Sequence, residues 1–232
     1  MLGAVCAFFV GVGKTGVPGL GIMVVPLMVI TVGEAKQSAG WLLPIMCTAD
    51  LFAVYYWRRH AAANRLFSLA PWVLAGMAMG ALTLSLPEGI LRNIVGTVVF
   101  AMLLLYLWRR FGAKTDVAAH PVAYGMSAGF ATTVANAAGP VMNLYLLSKR
   151  LPKEEFIATG VWFFFIINLA KLPIYVWHGM ISFRSLTFDA LLAPAVLCGA
   201  FTGRWIVHRI NPQLFEILVI LMTAISTVML FR

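Results

Sequence analysis

Eight long apolar segments follow one another along this chain, with only short polar breaks between them. They cover 2–31, 37–57, 67–86, 90–108, 122–147, 155–177, 186–206 and 213–231. The breaks hold Arg58-Arg59-His60, Leu86-Pro87-Glu88, Arg109-Arg110 with Lys114 and Asp116, Lys149-Arg150-Leu151-Pro152-Lys153, and Asn211-Pro212, which are residues that end helices or start turns. Apolar types make up 62 % of the 232 residues and charged types 11 %, against about 25 % charged in a soluble domain. Such a chain cannot cover a water-facing surface of its own. Lipid offers the backbone no hydrogen-bond partner, so apolar runs of this length read as helices, and the fold class is an all-α polytopic membrane protein. A span takes about 20 residues, which leaves no room between segments for an ATPase module or a periplasmic domain. The N-terminus shows no basic n-region and no small-residue cleavage site, so the first segment is expected to stay in the mature protein.

The chain also matches itself. A shift of 118 residues lays Gly11 on Gly129, Gly21 on Gly139 and Asp50 on Asn168; a shift of 123 lays Pro71 on Pro194, Gly76 on Gly199 and Gly80 on Gly203. Two repeats are therefore expected, 1–116 and 117–232, within a single transmembrane domain. Bundles duplicated in this way are commonly secondary transporters.

The first and fifth segments are interrupted. GVGKTGVPGLG occupies 11–21 and TTVANAAGPVMN occupies 132–143. Glycine and proline at this density break the helical ladder, which membrane depth tolerates only where protein or a wet cavity satisfies the backbone. Each segment either crosses with an unwound centre or dips in and returns. Positive charge favours the second course. If the two segments are re-entrant, Arg58, Arg59, Arg65, Arg109, Arg110, Lys114, Lys149, Arg150, Lys153, Arg204 and Arg209 share one side, and only Lys36, Arg92, Arg184 and Arg232 lie on the other. That asymmetry obeys the positive-inside rule and puts both termini outside; eight full crossings would give no bias. Each half then holds one Gly/Pro-broken re-entrant segment plus three transmembrane helices, and an odd number of crossings inverts the second repeat relative to the first. The formal charge of +9 is thus explained by topology and lipid headgroups, not by nucleic acid.

Two lysines escape that explanation. Lys14 sits amid five glycines, where exposed N–H groups, the positive end of the half-helix that follows and a full charge together suit a small anion. Gly13-Lys14-Thr15 is no nucleotide-binding loop, because Phe8 stands where the first glycine of that motif is needed. Lys14, Thr15, Gly16 and Gly19 are therefore candidate binding residues at one tip, and Thr133 and Asn136 at the other. Asn136 serves binding or packing; Asn143 reads as interhelical packing. Lys171 and Asn168 lie nearby in the sixth segment, with snorkelling a competing role for Lys171. Asp50, the one clear acidic residue inside a span, is a candidate proton carrier or a partner for Lys14 or Lys171. The Gly76/Gly80 and Gly199/Gly203 pairs read as close helix packing. His178 and His208 fall at segment ends and read as solvated loop histidines. Cys6, Cys47 and Cys198 have neither metal-ligand spacing nor a disulfide pattern. Neither a metal nor another cofactor is expected.

The stretches GKTGVPGLGIMVVPLM at 13–28, NAAGPVMNLYLL at 136–147 and LPKEEFIATGVWFFFIINLAKLP at 151–173 resemble the TauE/SafE sulfite exporter family, and the resemblance covers essentially the whole chain. Gly13-Lys14-Thr15-Gly16 stands where many members carry a glycine run, so the chain resembles the Lys-Thr-Gly branch. The resemblance implies a multi-pass carrier of the bacterial inner membrane for sulfite, organosulfonates or related small organic acids. The expected activity is alternating-access transport of a small anion, with the lipid bilayer and that anion as partners and a homodimer allowed. An anion channel is the alternative. An intramembrane enzyme is the more distant one, because no paired carboxylates, His-Glu motif or nucleophile with a base supplies catalytic residues.

Overall fold

The computed structural model describes residues 2–33, 35–61, 63–83, 87–111, 120–135, 137–177 and 179–230. Ten helices and no strand occur among them: α1 Leu2–Thr15, α2 Gly21–Val32, α3 Ala35–Trp57, α4 Ala63–Thr83, α5 Glu88–Phe111, α6 Pro121–Ala135, α7 Ala138–Ser148, α8 Lys153–Trp177, α9 Phe183–Arg209 and α10 Pro212–Leu230. Among the described residues, α3, α4, α8, α9 and α10 contain stretches long and apolar enough to cross a membrane, while α5 offers a shorter one, Asn93–Trp108. Large apolar side chains such as Leu74 and Leu191 stand exposed in the middle of their helices, a surface that suits lipid and not water. The protein is a multi-pass membrane protein.

The two Gly/Pro-rich segments are each split into a pair of short helices. The 14 residues of α1 and the 12 of α2 would rise only roughly 21 and 18 Å, short of the roughly 30 Å of a hydrocarbon core. The break between them has local causes. Gly16 and Val17 both send their N–H to the Val12 carbonyl, Pro18 has no N–H to give, and Gly19 takes a φ of +103° that L side chains rarely adopt.

The helices group into two compact units, one of Met1–Ala61 with Lys153–Phe215 and one of Ala62–Pro152 with Glu216–Arg232. Each draws on both the 1–116 and the 117–232 halves.

In the first unit α1 lies against α9 through glycine. A Cβ on Gly11 would run into the Val196 carbonyl, and one on Gly199 into the Phe8 carbonyl. Gly3 faces Phe188 and Leu192, so α1 and α9 start at the same end and run parallel. α2 folds back beside α1: Gly13 faces Gly21, Cys6 faces Thr31, and Cys6, Val10, Val24 and Met28 share one buried cluster with Leu42, Ile45 and Val196. α3 also starts at that end, with Gly40 against the Met180 carbonyl and the Trp41 ring 5.1 Å from Phe188. At the other end Trp57 of α3 stacks on His208 of α9 at 5.7 Å, and Lys153 at the start of α8 donates to the carbonyls of Val207 at 2.8 Å and Ile210 at 3.0 Å. His208 therefore stands in the last turn of a helix instead of a loop.

The second unit repeats this construction. α6 lies against α4, with a Cβ on Gly129 meeting the Val73 carbonyl and one on Gly76 meeting the Met126 carbonyl. Shifting Gly11 and Phe8 by 118, and Val196 and Gly199 by 123, reproduces all four positions. α7 folds back beside α6, placing Tyr124 5.6 Å from Tyr145. Asn143 donates to Thr223 of α10 at 3.4 Å, the interhelical bond that its packing role calls for. Such bonds average only about 0.6 kcal/mol in membrane proteins, so close backbone packing carries more of the stability.

Candidate functional site

The first unit holds a buried charge cluster where α1 stops. Lys14 falls in the last turn of α1, where the negative end of the helix dipole favours a cation. Its Nζ lies 2.8 Å from Asp50 Oδ1, with the Lys14 side chain 14 % exposed and that of Asp50 0 %. The same ammonium sits 4.6 Å above the Phe164 ring, close enough for a cation–π contact. Asn168 Nδ2 donates to the second carboxylate oxygen, Oδ2, at 2.7 Å; a carboxylate only accepts, which fixes the amide's orientation. Phe164, Asn168 and Lys171 follow at i, i+4 and i+7 along α8, so helical periodicity places them on one face. Lys171 is 3 % exposed and lies within electrostatic reach of both Lys14 and Asp50. Two lysine side chains and one carboxylate thus meet inside a membrane protein.

The other candidates take distinct places. Thr15 is fully buried, and its hydroxyl lies 3.0 Å from the Gly11 carbonyl and 2.7 Å from the Ala200 carbonyl. It ties α1 to α9. Gly16 sends its N–H to Val12 at 2.9 Å and packs against the Gly203 carbonyl, which no side chain would permit. Gly19 forms the turn into α2, whose start at Leu20 has no side-chain cap, so its first amides have no intrahelical partner. Thr133 belongs to the second unit, where its hydroxyl donates to the Gly129 carbonyl at 3.0 Å, the counterpart of Thr15 on Gly11. Asn136 and His178 lie outside the described residues. Asp50, the candidate proton carrier, lies fully buried between Lys14 and Asn168.

A family model described as Sulfite exporter TauE/SafE matches residues 3–230. The chain belongs to the TauE/SafE family. This is a family of transporters, and the match takes in both broken segments and the whole charge cluster of this TauE/SafE member. No curated protein and no solved structure matched it.

One acidic residue escaped the sequence reading. Asp50 is not the one acid inside a span, because α9 begins at Phe183 and encloses Asp189, which is 8 % exposed. The signal was present as an acid between Phe188 and the run Ala190-Leu191-Leu192. Among the described residues no group of three or more His, Cys, Asp or Glu side chains could hold a metal ion.

Proposed function

We propose that this TauE/SafE member is a secondary transporter that moves a small anion, of the sulfite, organosulfonate or small organic acid class, across the bacterial inner membrane by alternating access. The observation that carries the proposal is the buried Lys14–Asp50 pair at the tip of a broken segment, with Lys171 beside it. Lys14 is the partly exposed member and makes first contact with the anion. Asp50 acts as an internal counter-ion for Lys14. The anion exchanges with Asp50 for the Lys14 ammonium, and the uncapped start of α2 supplies further N–H donors. Thr133 and Asn136 serve the second tip.

The topology we infer has α1–α2 and α6–α7 as re-entrant hairpins and two inverted repeats, with three crossing helices in each half. What supports it is that α1, α3 and α9 start at one end of their unit while α2 returns to it, and that Lys153, Trp57 and His208 meet at the other end. Membership of a transporter family supports reading the chain as a carrier.

Reconstituted protein tests it. Liposomes should take up sulfite, thiosulfate or sulfoacetate and exchange internal for external labelled anion in counterflow, which a pore cannot do. Lys14→Ala should abolish the flux; flux of every anion unchanged by that substitution would overturn the site.

A further inference from the structure

α9 carries a second buried carboxyl that the anion site does not use. Asp189 lies two turns into α9, is 8 % exposed, and neither of its carboxyl oxygens has a hydrogen-bond partner. Within an α-helix its own backbone offers nothing, because amides past the first turn are already bonded to carbonyls behind them. The surroundings are apolar. Its neighbour Phe188 and, one turn on, Leu192 pack against the cluster of Cys6, Val10, Met28, Leu42 and Ile45, and both face Gly3.

Among the described residues no charged neighbour supplies the missing partner. Of the elements packed against α9, α1 carries Cys6 and Lys14, and α3 carries Cys47 and Asp50; the side chain of Lys36 lies outside the described residues. α2, which shares the cluster, has no ionisable residue. On α9 itself Arg184 is exposed, and Arg204, His208 and Arg209 stand at the far end. Lys14 and Asp50 hold each other at the level where Thr15 meets Ala200. That level lies eleven residues beyond Asp189 along α9, about 16 Å at the helical rise.

A bare carboxylate in such a place is prohibitively costly, whereas the neutral acid is tolerated. A sodium ion would need several oxygen ligands, and the buried hydroxyl one turn back on the same helix face, that of Ser185, is already engaged by the backbone of Ser182. The one cation that fits is a proton.

We propose that Asp189 is the proton-binding site through which transport is coupled to a proton gradient, in place of Asp50. This rests on the transporter reading above. Asp189 stands near the end of α9 at which α1 and α3 also begin, so a proton can enter from that end without crossing the Lys14–Asp50 pair.

Two measurements test it. Dicyclohexylcarbodiimide partitions into bilayers and adds to protonated carboxyls in apolar surroundings. On the wild-type protein in liposomes, peptide mass spectrometry should find the adduct on Asp189 and none on Asp50; an unmodified Asp189, or an adduct on Asp50 alone, overturns the proposal. Asp189→Asn, which mimics the neutral acid in size and polarity, should lose the acceleration of labelled sulfite flux by an imposed pH gradient and keep sulfite counterflow at equal pH. Retained acceleration overturns it. A wild-type protein that moves no sulfite fails the transport reading instead, and the adduct on Asp189 then decides the proton site by itself.

Discussion

Asn168 donates a 2.7 Å hydrogen bond to Asp50, and the 118 residues between them are the interval that also lays Gly11 on Gly129. Corresponding positions of the two halves therefore touch each other inside one unit. The contact works because the two positions have diverged: an amide can donate where a carboxylate can only accept, and two carboxylates at that distance would repel. Divergence at this point also leaves the second carboxylate oxygen free for Lys14.

Asn168→Leu tests the strength of that contact. It keeps the volume close and removes a hydrogen bond to a charged group, so it should lower stability by about 1.5–3 kcal/mol. A thermal melt of the detergent-solubilised protein checks this, and an unchanged midpoint would show the bond to be idle.

Lys14 and Asp50 should be strongly non-additive. Removing either partner breaks a buried ion pair, at about 3–5 kcal/mol, whereas removing both with apolar replacements is often close to neutral. Lys14→Met and Asp50→Leu should each destabilise, and the double variant should recover most of the melting temperature without recovering anion flux. Additive losses in the cycle would mean that the 2.8 Å pair contributes no coupling.

What the sequence disclosed and what it hid follow from range. The breaks at 16–20 and before α7 were legible because glycine and proline act on their own backbone. The pairing of Lys14 was narrowed but not decided: Asp50 was open to Lys14 or Lys171, and choosing between them takes the packing of α8 on α3. The hydroxyl of Thr15, a candidate anion ligand, faces the Ala200 carbonyl, a partner 185 residues away that no local pattern announces. The Gly76 and Gly199 pairs were read correctly as packing, but which helix each one met was invisible.

The glycines make a prediction with its own controls. A Cβ at Gly199 or Gly76 would strike the carbonyl of Phe8 or Met126, which are backbone atoms that cannot rotate away, whereas a Cβ at Gly21 or Gly139 has nothing within 4 Å. Gly199→Ala and Gly76→Ala should therefore each force their helices apart and cost about 1–3 kcal/mol, the range for overpacking. Gly21→Ala and Gly139→Ala should melt within about 0.5 kcal/mol of the parent, as unhindered substitutions do. Equal losses at all four positions would mean that helix flexibility and not backbone approach is what these glycines provide.

The course of the fifth segment can be decided from the surface. If α6 and α7 form a re-entrant hairpin, four crossings, α4, α5, α8 and α9, separate the α3 C-terminus from the α9 C-terminus and the two share a side, as the stacking of Trp57 on His208 at 5.7 Å requires within this unit. If instead the fifth segment crossed fully, Arg59 and Arg209 would face opposite compartments. Single cysteines introduced at Arg59 and Arg209, in a background where Cys6, Cys47 and Cys198 are replaced by serine or alanine, should react with a membrane-impermeant maleimide from the same side. A cysteine at Arg184 should react from the other, since α9 crosses between Arg184 and Arg209. The positive-inside rule makes the shared side the cytoplasmic one, where Arg58, Arg59, Lys153, Arg204 and Arg209 would face anionic lipid. Labelling of the Arg59 and Arg209 cysteines from opposite sides would overturn the α6–α7 hairpin, and with it the three crossings inferred for the second half.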